Sequence, residues 1–201
     1  MERQNETIFN LARSFAGESQ ARTRYTVYAQ VARKEGYEWI AQVFEETAAN
    51  EAVHAEEFLE QLQKLGGCVD NIDLHAGYPF QLGSTCDNLS YAAQGELHEH
   101  DNAYPEFAEI ARREGFDRAA RLFTLIARVE GVHHNTFRQL YEQMRSGNLT
   151  EKQSPVMWRC ANCGHTYEST RAAEQCPICH KGSGWQESSV DKKQLIIAKN
   201  R

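Results

Sequence analysis

A chain of 201 residues, 41% apolar and 25% charged, is long enough for one domain of ordinary size and a small second one. The net charge of −6 and the scattered basic residues exclude a general nucleic-acid binder, because phosphate backbones are held by basic patches. The start, "MERQNETIFNLARSF", is polar from its second residue and no stretch approaches the roughly 18 apolar residues of a membrane span, so a cytoplasmic protein with no membrane partner is expected.

In chain order, the pattern first reads as a helical hairpin. Residues 37 to 65 place Tyr37, Ala41, Phe44, Ala48, Ala55, Phe58, Leu62 and Leu65 at alternating steps of four and three, one face of an α-helix about 43 Å long. Glu51 falls on this apolar row and His54 lies one turn away on the same side. The hairpin then recurs: "YTVYAQVARKEGYEWIAQVFEETAANEAVHAEEF" from Tyr25 matches "YPEFAEIARREGFDRAARLFTLIARVEGVHHNTF" from Tyr104. Tyr25 and Tyr104, Gly36 and Gly115, Phe44 and Phe123, Glu51 and Glu130, His54 and His133 are each 79 apart. Each half is a helix, a tight Glu-Gly turn and a second helix. The stretch from 66 to 90, holding Cys68 and Cys86 as expected free thiols, is a long crossover with Asn88 or Ser90 as the expected N-cap of the third helix. Four helices with one long crossover predict an all-α ferritin-like bundle over 1–146.

Upstream of the tyrosines the offset is 78, from Gly17-Glu18 to Gly95-Glu96, so the second half carries one extra residue before Tyr104. An insertion inside a helix is accommodated as a π-type turn, which also relieves the clash of Pro105 with the carbonyl of Asp101. Such a turn is expected between Glu99 and Tyr104. After about Ser146 the periodicity stops. Residues 147–156 read as a linker, 157–187 as a compact β-rich unit around four cysteines, and 188–201 as a charged tail.

Each helix offers the interior a carboxylate: Glu18, Glu51, Glu96 and Glu130, with Glu99 one turn from Glu96. Two helices add His54 and His133 in Glu-x-x-His. Several buried carboxylates repel one another, so something positive must lie among them. A glutamate from two helices and Glu-x-x-His from two others is the donor set of di-iron and di-manganese bundles, and mixed carboxylate and imidazole ligation suits iron or manganese better than zinc. His134 sits where the first half has Ala55, so helix rotation leaves it in competition with His133; the Glu-x-x-His spacing favours His133. Tyr25 and Tyr104 are expected to hydrogen-bond ligand carboxylates. Cys160-x-x-Cys163 and Cys176-x-x-Cys179 read as one tetrahedral metal site, with zinc as a structural substitute for an electron-carrying iron.

The motifs "GESQAR", "NEAVHAEEF", "GELHEHDNAYPEFA" and "VEGVHH", followed by the two cysteine knuckles, resemble the rubrerythrin family over about residues 3 to 187. The resemblance implies a peroxidase that reduces hydrogen peroxide to water at an oxo- and carboxylate-bridged di-iron site. Electrons would come from NAD(P)H through rubredoxin or a separate reductase and pass through the four-cysteine iron. It also implies a homodimer or larger assembly in which the cysteine domain of one subunit serves the bundle of another. In this reading Glu51 and Glu130 bridge, Glu18 and Glu96 are terminal, His133 binds the second iron, and Glu99 exchanges with His54 at the first as its charge changes. Trp185, where the family often has phenylalanine, and the tail after 187 depart from the pattern. The competing readings are a ferritin-like Fe(II) oxidase or storage protein using dioxygen, and a metal-stabilised interaction protein with a zinc ribbon. The first has no need of an electron-carrier domain. The second would show clustered Lys and Arg, and residues 157–187 have only Arg159, Arg171 and Lys181.

Overall fold

The structure is a computed structural model describing residues 5–66, 71–182 and 184–187; Cys68 and the tail lie outside the described residues. Five α-helices and one π turn build the bundle: α1 (Glu6–Lys34), α2 (Glu38–Gly66), α3 (Thr85–His98), the π turn (Glu99–Ala103), α4 (Tyr104–Arg113) and α5 (Asp117–Arg145). The segment α3, π turn and α4 is the third of four long helices, giving the ferritin-like bundle with its single crossover. Among the described residues no helix is long and apolar enough to cross a membrane.

The repeat is visible in how the hairpins are closed. Gly36 and Gly115 take φ of 90° and 81°, which an L side chain rarely adopts, and Tyr37 N and Phe116 N each donate to a carbonyl five residues back at 2.8 Å. The glutamate before each glycine caps a helix of the other hairpin: Glu35 accepts from Thr85 N at 3.0 Å, and Glu114 accepts from Glu6 N at 3.0 Å and Thr7 N at 2.9 Å. The two halves are thus tied end to end by the same residue type used twice.

The third helix starts earlier than the polarity of the crossover suggests. Ser84 is its N-cap, with Ser84 and Asp87 forming a reciprocal capping box. Asn88 instead uses its side chain on the backbone of Gly83, accepting from N at 2.9 Å and donating to O at 3.0 Å. Cys86 therefore lies in the first turn of α3 and is a free thiol. The π turn falls where the extra residue demands it: Tyr104 N donates to Glu99 O, one residue further back than an α-helix reaches, and Pro105 sits in the first turn of α4.

Two aromatic clusters fill the bundle. One centres on Tyr25, Tyr28, Phe44 and Phe137, with Phe44 and Phe137 stacked at 5.1 Å; the other on Phe58, Tyr104 and Phe123, with Phe58 and Phe123 at 5.2 Å. Under the 79-residue repeat these two pairs exchange, so α2 and α5 are related by a local two-fold. Each buried ring contributes roughly 1.5–3 kcal/mol. A buried ion costs several kcal/mol before pairing, so the acidic layer between the clusters, with four glutamates, opposes their gain and has a purpose other than stability.

The C-terminal unit is a three-stranded antiparallel sheet, order β2-β1-β3, of β1 (Glu151–Cys160), β2 (Thr166–Arg171) and β3 (Trp185–Glu187). Its core is Trp158, Cys160, Cys176 and Trp185, with Tyr167 edge-on to Trp185 at 4.9 Å. β1 begins at Glu151, inside the stretch that reads as a linker, because Glu151 pairs with Arg171 and Thr150 O accepts from Ala172 N. The irregularity between Glu151 and Val156 spans Pro155, which has no N–H to give a ladder.

Candidate metal centres

Glu18, Glu51, Glu96 and Glu130, from α1, α2, α3 and α5, are at most 1% exposed; His54 and His133 are 8% and 6% exposed. Their ligand atoms form two groups, Glu18 with Glu51, His54 and Glu130, and Glu51 with Glu96, Glu130 and His133, all atoms within a group lying within 4.8 Å of one another. Glu51 and Glu130 belong to both. His54 Nδ1 lies 2.8 Å from Glu51 Oε2 and 3.0 Å from Glu130 Oε1. His133 Nδ1 lies 3.2 Å from Glu51 Oε1 and 2.7 Å from Glu130 Oε2. Each shared carboxylate therefore turns one oxygen toward each imidazole.

The donor set fits two cations. Glu51 Oε1, Glu96 Oε2 and Glu130 Oε1 are buried and only an imidazole Nδ1 faces each, at 3.2, 3.6 and 3.0 Å; one N–H cannot serve several such acceptors, so they are costly unless a cation answers them. Phenols fix the other two carboxylates: Tyr25 OH donates to Glu96 Oε1 and Tyr104 OH to Glu18 Oε1. These bonds cross between the hairpins and exchange under the repeat, and they leave Glu96 Oε2 facing His133 at 3.6 Å.

Two residues stand apart from the ligand groups and a third joins them from outside. His134, adjacent to His133, turns to Ala93 and its Nδ1 is 2.8 Å from that carbonyl oxygen, outside both groups. Glu99 also lies outside both groups; it opens the π turn, is partly exposed, and lines a chamber beside the site. Asn50, absent from the sequence reading, places Nδ2 3.3 Å from His133 Nε2. With Nδ1 given to a cation, Nε2 carries the proton and needs an acceptor, which the Asn50 amide supplies when its oxygen is turned inward. Val129 stands at the repeat-equivalent position, so the repeat carries no signal for Asn50.

Without cations, protons take their place. Burial, then the neighbouring acids Glu99, Glu51 and Glu130, raises Glu18 well above its ordinary range. Burial pushes Glu96 up to about 8. For the histidines burial acts downward and is outweighed, chiefly by the Glu130 carboxylate, so His54 rises to about 9 and His133 to about 12. Glu130 moves the other way: burial opposes its charge, but the two imidazoles bring it down to about 2. Each raised group binds its proton more tightly when folded, so the stability it contributes is present at low pH and is lost as pH rises: from 4.5 to about 8 for Glu96, and from 6.5 to about 9 for His54. Glu130 behaves oppositely: its contribution is fully present above 4.5 and is lost only as pH falls from 4.5 to about 2. The chelated protein should therefore melt at progressively lower temperature as pH rises from 5 to 9, while the metal-loaded protein, whose cations have displaced these protons, should not. Melting curves of both forms across that range check this.

Gly131, beside Glu130, leaves room for His100 of the π turn: a β-carbon there would lie 2.9 Å from His100 Cε1. The His100 Nδ1–H donates to Ala127 O at 2.6 Å, tying the π turn to α5. Gly131→Ala should cost about 1–3 kcal/mol in denaturant unfolding, and adding His100→Ala should recover part of that loss.

The cysteines form a second centre. Cys160, Cys163, Cys176 and Cys179 place their sulfurs within 4.8 Å of one another, Cys160 to Cys179 at 3.7 Å and Cys163 to Cys176 at 3.6 Å. A metal–sulfur bond of about 2.3 Å makes a tetrahedron with edges of about 3.8 Å, so four sulfurs at these spacings fit one ion. The backbone N–H of Lys181 helps bring the Cys179 thiol down to about 6, favouring the thiolate that a metal requires.

The family model described as Rubrerythrin matches residues 10–141, and the one described as Rubrerythrin, rubredoxin-like domain matches residues 158–184. A rubrerythrin of Clostridium perfringens strain 13 is 44% identical over 176 residues, covering 87% of this chain and 89% of that protein. A solved structure of nigerythrin in its fully reduced, all-ferrous state is 29% identical with a TM-score of 0.61, covering 90% of this chain and 86% of that one. A bacterioferritin structure from Desulfovibrio desulfuricans, 22% identical with a TM-score of 0.64 over 71% of this chain and 82% of that one, shares the fold.

Proposed function

We propose, because the chain belongs to the rubrerythrin family, that it reduces hydrogen peroxide to water in its bundle with electrons passed through its four-cysteine centre. The Glu/His cluster is a di-iron carboxylate site and the four cysteines hold a rubredoxin-like iron. The observation that carries the reading is the sharing of Glu51 and Glu130 between two ligand groups. Iron supplies the redox chemistry: two ferrous ions together hold the two electrons that breaking an O–O bond takes up.

The residues then have distinct parts. Glu51 and Glu130 would be the ligands shared by both ions, their four oxygens divided between the two imidazoles. Glu18 and His54 complete one side, Glu96 and His133 the other. Tyr25 and Tyr104 keep Glu96 and Glu18 from swinging out. Glu99 stands outside the groups while His54 is in one, the arrangement that would suit a lower-charge, reduced site; an oxidised site would favour an anionic donor, and Glu99 would be the residue placed to take the position of His54. In the C-terminal domain the thiolate sulfurs, with Cys163 and Cys179 at least partly exposed, bring an electron carrier near the surface, where rubredoxin or an NAD(P)H-linked reductase can reach it. The carrier of one subunit serves the bundle of another in a homodimer or larger assembly.

Turnover of the iron-loaded protein with a reductase, supplied in separate assays with hydrogen peroxide and with dioxygen, tests the reading. Peroxide should be consumed at least about tenfold faster at equal concentration, a barrier difference of about 1.4 kcal/mol. Faster dioxygen consumption would move the protein to the oxidase class.

A further inference from the structure

Beside the acidic layer lies a half-enclosed chamber of about 180 Å³, bounded by α1, the π turn and residues 76–79 of the crossover. Most of its wall surface is carbon, with Tyr78, Ala103 and Phe107 among its residues, while Glu99, Arg13, Arg24 and His98 add polar atoms at its edge. Glu99 is partly exposed where the other four acids are sealed, so the chamber offers a small molecule one way toward the carboxylates. The strap over it is pinned to α1. Tyr78 OH donates to Arg13 O at 3.1 Å, Tyr28 OH donates to Gln81 O at 2.7 Å, and Gln20 Nε2 donates to Pro79 O.

Hydrogen peroxide is little larger than water and needs neither this volume nor apolar walls. An apolar cavity of about 150 Å³ holds a benzene molecule. Resting on the peroxidase reading, we propose that the chamber binds the hydrocarbon part of a small alkyl hydroperoxide, with its –OOH end directed past Glu99 to the di-iron site. The reaction balances with what that site supplies: ROOH takes one electron from each ferrous ion and two protons, the O–O bond breaks, and ROH and water leave. Size sets the limit. A tert-butyl group fits, whereas the larger cumyl group is restricted by Phe107.

Two substitutions change the chamber in opposite directions. A β-carbon on Gly17 would meet Tyr78 Cε1 at 3.6 Å, an ordinary contact, so Gly17→Leu is sterically allowed at its root and fills the space with its branches. Phe107→Ala enlarges it. Fully reduced holoprotein is mixed anaerobically with hydrogen peroxide, tert-butyl hydroperoxide or cumene hydroperoxide, and the rates are read as ratios to that with hydrogen peroxide, so a general loss of iron cannot imitate the effect. Gly17→Leu should lower the tert-butyl ratio, and Phe107→Ala should raise the cumene ratio, each at least about tenfold. Binding is read separately by saturation-transfer NMR with tert-butanol, which is redox-inert: a signal is expected with the parent protein and not with Gly17→Leu. Unchanged ratios in both variants, or a tert-butanol signal indifferent to Gly17→Leu, overturn the chamber assignment even where hydrogen peroxide reacts fast. Slow oxidation by hydrogen peroxide itself overturns the peroxidase reading instead, and the tert-butanol result then decides the chamber alone.

Discussion

Glu130→Gln should leave the bundle unable to hold its pair of irons while the cysteine iron stays in place. Glu130 belongs to both ligand groups and faces both imidazoles, at 3.0 Å and 2.7 Å. The amide keeps the side chain's shape but removes a charge on which both halves depend, so the loss is of the pair rather than of one ion. Metal analysis should show bundle iron falling from two toward none, with the visible absorbance of the cysteine centre retained. Glu96→Gln, confined to one group, should weaken one position by about 10–100-fold. The same substitution has a signature without metal. His54 and His133 owe much of their raised proton affinity to Glu130, so their imidazole resonances should titrate at lower pH in the chelated Glu130→Gln protein.

Cys179→Ser should separate one turnover from many. Its sulfur is one of four within 4.8 Å, and without the soft thiolate the tetrahedral iron is lost, yet nothing in the bundle site changes. A prereduced Cys179→Ser protein should therefore oxidise its di-iron site with peroxide about as fast as the parent, whereas steady-state turnover from a reductase should fall at least about 100-fold, the effect of closing one electron path by about 2.7 kcal/mol. Single-turnover and steady-state rates measured on the same preparation check both halves.

The repeat made most of this legible in advance. Glu51 and His54 could be placed on an apolar row because helical periodicity is local, and their recurrence as Glu130 and His133 turned a common tripeptide spacing into a paired site. The offset of 78 before Tyr104 against 79 after it located the π turn, since an extra residue in a helix has few ways to be absorbed. Other features depend on angles or on distant chain. His133 and His134 differ by about 100° of helix rotation, and only the packed structure turns the second toward Ala93. Glu99 reads as a fifth interior acid one turn from Glu96, but as the first residue of the π turn it is set apart from both ligand groups. The start of α3 was recoverable, because Ser84 and Asp87 have capping-box spacing; the polar length of the crossover obscured it. The chamber was not, since residues 76–79 have no periodicity and meet α1 only in three dimensions.

A bundle built on shared Glu51 and Glu130 should be oxidised by peroxide and then re-reduced by the four-cysteine iron. Anaerobic stopped-flow mixing of fully reduced protein with stoichiometric hydrogen peroxide, or with dioxygen, follows both centres by their visible absorbance. Rapid di-iron oxidation by peroxide is expected, with much slower oxidation by dioxygen, and the cysteine iron should be oxidised after the di-iron site as it passes its electron on. Faster reaction with dioxygen, or a cysteine centre that stays reduced while the di-iron site oxidises, would contradict it.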